Sequence, residues 1–119
     1  VSLYFIKDLL LAANRKKYME SMEAINVRLF NPTDNHLVTM IFEQLLGGQA
    51  DLVLPREARL FKNRQLPGDL SIQLFWEVEQ KKKTPLGALL AEALRSMGMV
   101  NHFVWKGEAK HIFSQKRTT

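Results

Sequence analysis

The sequence predicts an α+β domain, an antiparallel sheet with two helices on one of its faces. Three observations predict it. Residues 69–79 alternate apolar and polar side chains behind a Pro67-Gly68 turn, the pattern of a strand with two unlike faces. Asn31-Pro32 and Thr84-Pro85 each precede an apolar run at helical spacing, a capping residue followed by proline at the first helical position. Between and around these two helices, the strand signals fall as one before, two between and one after.

Taken in order, residues 3–20 read as a helix. Leu3, Ile6, Leu10, Ala13 and Tyr18 share a broad face, and Arg15-Lys16-Lys17 falls late, where cations suit the helix dipole. Residues 23–31 read as the first strand, with Ile25, Val27 and Leu29 on one side and Ala24, Asn26, Arg28 and Phe30 on the other. Behind the Asn31 cap, Leu37, Val38, Ile41, Phe42 and Leu45 form a helical stripe, and Gly47-Gly48 is expected to end it. Residues 51–54 and 57–62 are extended but interrupted by Pro55. A basic turn at residues 63–68 joins them to the 69–79 strand as a hairpin.

On that strand Leu70, Ile72, Leu74, Trp76 and Val78 are expected to face the helices, and Ser71, Gln73, Phe75, Glu77 and Glu79 the open side. The second helix presents Leu86, Leu89, Leu90, Ala93, Leu94 and Met97, with Gly98 closing it. Residues 100–106 form a last long strand, and residues 110–113 a short additional one. The order is βαββαβ, the ferredoxin-like arrangement. The expected division is an N-terminal helical extension (1–21), the ferredoxin-like domain (22–114) and a flexible tail (115–119).

Bulk properties narrow the function classes. A chain of 119 residues is long enough to bury a core without covalent staples. The absence of cysteine removes disulfides, thiolate chemistry and cysteine-held metals. The N-terminal apolar run lacks a preceding basic region and is interrupted by Lys7-Asp8, so it reads as non-secretory and the expected location is cytoplasmic. No apolar run is long enough to span a bilayer, and no membrane partner is expected. The formal net charge of +5 could draw nucleic acid through Arg15–Lys17, Arg64 and Lys81–Lys83. Against that, the third strand lacks the basic-glycine start of an RNA-recognition motif and carries acids on its open side, which would repel phosphate.

The hairpin residues 58–62 and 66–77, ending in Trp76-Glu77, resemble the central hairpin of antibiotic-biosynthesis-monooxygenase-like proteins, which are dimeric α+β barrel domains. In element order the resemblance spans residues 22–113. It implies a homodimer in which two ferredoxin-like sheets meet face to face. It also implies a cavity between them for an aromatic or partly apolar ligand, and an oxygenation that needs little help from cofactors. The haem-degrading branch of the superfamily uses an Asn, Trp and His set. Asn26, Trp76 and His102 do not fall in a matching local pattern, so no cofactor is expected.

Candidate site residues follow from this open face. Arg28, Gln73, Phe75, Glu77 and Trp105 are the expected ligand-binding residues. Exposed aromatics on an open sheet face mark a binding surface. His102, set among aromatic and β-branched residues, reads first as a satisfied core or edge histidine and is the best acid or base candidate of the three histidines. His36 and His111 read as surface residues, and no two histidines have metal-ligand spacing, so no metal is expected. Glu77 and Glu79, roughly 6–7 Å apart by strand rise, admit paired-carboxylate chemistry but suit ion pairs with Arg28 or Arg59. The sequence names no reaction. A non-catalytic regulatory or interaction module stands as the alternative, and a nucleic-acid-binding domain as the second.

Overall fold

The computed structural model describes residues 21–48 and 51–113. The expected helix at 3–20 and the tail at 115–119 lie outside them. The elements are β1 (Ser21–Leu29), a 3-10 turn (Pro32–Asp34), α1 (Asn35–Gly48), β2 (Glu57–Lys62), β3 (Asp69–Trp76), α2 (Pro85–Arg95) and β4 (Gly98–Lys106). The four strands form one antiparallel sheet in the order β2-β3-β1-β4. The βαββαβ order and the antiparallel sheet expected from the sequence are both present.

Register explains which residues are buried. Ile25 lies between Ile72 of β3 and His102 of β4, and Val27 between Leu70 and Val100. Since side chains alternate along each strand, these rows all point to one face. Both helices pack there. α1 contributes Val38 fully and Ile41, Phe42, Leu45 and Leu46 in part, while α2 contributes Leu86, Leu90, Ala91 and Leu94. Ile25, Ile72, Leu74, Leu86, Leu90 and Leu94 are closed to solvent. Each such side chain contributes about 1.5–3 kcal/mol of burial free energy, so this face supplies most of the fold's driving force.

Both helix starts follow their caps. The Asn31 side chain accepts from Thr33 N at 3.2 Å, and Thr84 Oγ1 accepts from Gly87 N at 3.0 Å with Pro85 next in line. At Asn31 the cap opens a 3-10 turn, and the α-helix proper begins at Asn35. Helix α1 does close on Gly47 and Gly48, as expected, with no positive φ at any described glycine. Several other element ends differ from the sequence reading. Helix α2 ends at Arg95, and Gly98 instead opens β4. A Cβ at Gly98 would lie 2.3 Å from the Arg28 carbonyl oxygen, so only glycine lets β4 approach β1 there.

Residues 110–113 form no strand and are exposed, and residues 51–54 stay outside the sheet. Leu37 and Leu89 are exposed rather than in the helix stripes, and Gly87 and Ala91 take the sheet-facing positions of α2. β3 ends at Trp76, and the backbone bends at Glu77 and Val78. Val78 is therefore past the sheet and exposed, and Glu77 and Glu79 do not belong to the open face.

Candidate functional site

The uncovered face of the sheet carries the other half of each strand's alternation. In register across it lie Met22 with Phe75, Glu57 and Trp105; Ala24 with Gln73, Arg59 and Phe103; Asn26 with Ser71, Phe61 and Asn101; and Arg28 with Asp69 and Met99. Trp105 is 56% and Met99 69% exposed, high values for side chains of this size. Phe103 and Trp105 sit with ring centroids 6.2 Å apart and tilted, and the Arg59 guanidinium lies 5.7 Å from the Phe75 centroid. Those are favourable aromatic and cation–π geometries.

Polar groups occupy the opposite end. Arg28 donates twice to Asp69, Nε to Oδ1 and Nη2 to Oδ2, both at 2.9 Å. These hydrogen bonds, more than the charge alone, hold the Asp69 carboxyl below its ordinary range, and they raise the Arg28 guanidinium correspondingly. Asn26, Arg28, Phe61, Ser71, Met99 and Asn101 line an open hollow of about 680 Å³ there. That is within the usual size of small-molecule pockets, roughly 300–1,000 Å³.

Arg28, Gln73, Phe75 and Trp105 thus share the open face, but not one cluster. Phe75 and Trp105 flank Met22, six positions along β1 from Arg28, a separation of roughly 20 Å at strand rise. Glu77 falls beyond the end of β3, so the aromatic-acidic pair Trp76-Glu77 is split between the core and solvent. Neither Arg28 nor Arg59 meets Glu77 or Glu79. Arg59 Nε instead donates to Glu57 Oε1 at 2.7 Å.

His102 is on the other face. Its side chain is 3% exposed, beneath the start of α2, and its Nε2 donates to Glu23 Oε2. The Glu23 carboxylate, itself closed to solvent, also accepts from Trp76 Nε1 at 3.2 Å, Thr84 N at 3.0 Å and Thr84 Oγ1 at 2.6 Å. Four donors converge on two oxygens, which suits a group that only accepts. Gly87 makes the space for it, since a Cβ there would lie 1.9 Å from Glu23 Oε2. The candidate acid or base therefore does not face the hollow with Arg28. Glu23 was not among the residues expected from the sequence. Its parity was the available signal, because it shares the helix-facing set of Ile25, Val27 and Leu29. Among the described residues, no group of three acidic, histidine or cysteine side chains is placed to hold a metal ion.

No family model matches the sequence, and no curated protein matches it. Solved structures do match in shape. A conserved protein of unknown function from Bacteroides thetaiotaomicron, described as a possible oxidoreductase, superposes with a TM-score of 0.56 at 12% identity, over 75% of this chain and 98% of its own. A variant of SnoaB, a cofactor-independent oxygenase from Streptomyces nogalater, superposes with a TM-score of 0.52 at 15% identity, over 81% of this chain and 98% of its own. The likeness is one of fold, a four-stranded antiparallel sheet with two helices shared with both structures. No helix among the described residues is long and apolar enough to cross a membrane.

Proposed function

We propose that this chain forms a homodimer through its open sheet face and encloses a small, partly aromatic ligand there. The observation that carries the reading is the composition of that face. Phe61, Phe75, Met99, Phe103 and Trp105 stand uncovered around a central band of Asn26, Ser71, Gln73 and Asn101. A sheet face this apolar invites a second surface, and amides and hydroxyls inside the resulting cavity would orient a ligand. The likeness to SnoaB supports oxygenase-like turnover as the finer form of the proposal. One observation favours binding without chemistry. The two carboxylates on this face, Glu57 and Asp69, are each engaged by an arginine, and His102 lies on the reverse side.

Light scattering at micromolar concentration tests the dimer, and a monomer sinks it. Ligand capture is read from the fluorescence of Trp105, on a Trp76→Phe background that leaves Trp105 as the sole indole. Saturable quenching by planar phenols supports the cavity, and oxygen uptake with the same phenols separates an oxygenase from a binding module.

A further inference from the structure

We propose that the hollow where β4 meets the segment before α2 is a binding site for a small oxyacid anion, a phosphate or a carboxylate. It is lined by Lys82, Lys83, His102, Phe103 and Val104 and lies apart from the open-face hollow. The decisive group is His102. Its side chain is almost wholly buried and its Nε2 is committed to Glu23. Its Nδ1 has no hydrogen-bond partner among the described residues. Nor is it an enclosed orphan, since Thr39 Oγ1 is the only fully buried side-chain atom without a partner among them. On this proposal the free edge of the ring faces the hollow that His102 helps to line.

The two lysines set the class of ligand. Lys82 and Lys83 are exposed and line the same hollow, so they bring positive charge beside the imidazole. An oxyacid satisfies both ends. Whether the shared proton sits on the ligand oxygen or on Nδ1, one hydrogen bond forms between them. The remaining oxygens take charge-assisted bonds from the ammonium groups. Hydrogen bonds then run without a break from Glu23 through His102 and the ligand to the lysines. Phe103 and Val104 also line the hollow.

The test uses the full chain labelled with nitrogen-15 at histidine, titrated with sodium phosphate, sodium acetate and sodium chloride at matched ionic strength. His36 and His111, both exposed, serve as internal references. The expected result is a saturating shift of the His102 ring nitrogens with phosphate or acetate and none with chloride. Saturation by phosphate alone assigns a phosphate ligand, and by acetate alone a carboxylate. Replacing Lys82 and Lys83 together by alanine should weaken binding by about tenfold or more, the loss of roughly 1.4 kcal/mol, with an unchanged melting curve because both side chains are exposed. The same unsaturated drift in all three salts overturns the site, as does saturable binding indifferent to the lysines. His102→Gln should abolish the binding. If that variant does not fold, the lysine variant decides.

Discussion

The two faces of this sheet are built from the same four strands and differ in what their side chains are committed to. On the helix-covered face a buried network joins several strands and the start of α2: Glu23 ties together Trp76, Thr84 and His102, and Ser21 Oγ accepts from Gln80 N at 2.6 Å. On the open face the amides and aromatics carry no comparable network, and the only ion pairs there, among the described residues, join exposed or half-exposed groups. The contrast shows how one period-two pattern can hold a structural face and a face available for binding. Substitutions on the first should be felt in stability, and on the second in association.

The largest effect is expected at Glu23. Replacing it with alanine strands three donor residues in a closed site, and removing one partner from a buried charged cluster typically costs about 3–5 kcal/mol. Urea unfolding monitored by circular dichroism should show that loss. Gly87→Ala should act on the same cluster from the helix side. A methyl group 1.9 Å from Glu23 Oε2 must displace the carboxylate or lift α2, an overpacking penalty of about 1–3 kcal/mol. If both variants unfold within about 0.5 kcal/mol of the parent, the ordinary scatter of surface changes, the helix-covered face is not held by this cluster.

How much of this contrast could be read from the chain depends on where the information lies. Leu70, Ile72, Leu74 and Trp76 were legible because burial on one face of a strand imposes a two-residue period that local sequence displays. The caps at Asn31 and Thr84 were legible because capping is satisfied within three residues. Val78 continues the same alternation, yet it is exposed, because β3 ends two residues earlier and the extent of a strand is set by the sheet around it, not by its local pattern. Leu89 was misplaced for a related reason: α2 turns Gly87 toward the sheet to clear the Glu23 carboxylate, contributed by a strand more than sixty positions away. Glu23 and His102 each showed a parity, but not the register that sets Glu23 opposite Val104 and Ile25 opposite His102. That register makes the two ionisable groups diagonal neighbours, within reach of long side chains.

On the open face the comparison is sharpened by a charge. Trp105→Glu places a carboxylate among Phe103, Met22 and the apolar end of the sheet, in a side chain already 56% exposed in the single chain. The fold should survive within about 0.5 kcal/mol. The dimer should not, because burying an unpaired charge in an apolar interface is strongly unfavourable. Light scattering should report a monomer with an unchanged far-ultraviolet spectrum. A variant that stays dimeric would move the interface elsewhere and break the assignment of this face to association.

The smallest effect belongs to the exposed pair Arg28–Asp69, and it is a titration rather than a loss of fold. Two hydrogen bonds from Arg28 keep the Asp69 carboxyl lowered from its ordinary value. A carboxyl whose folded value is depressed adds its stabilisation in full above the unfolded value and loses it as pH falls through the folded one. Carbon-13 titration should therefore find the Asp69 carboxyl ionised below the ordinary aspartate range. Arg28→Gln should bring its midpoint up toward that range while the melting curve at neutral pH hardly moves, since surface pairs contribute little. Added salt should narrow the same difference by screening. If Asp69 titrates in the ordinary aspartate range in the parent protein, the fork between Arg28 and Asp69 is not populated in solution. The hollow beside them would then present a free guanidinium to whatever ligand enters.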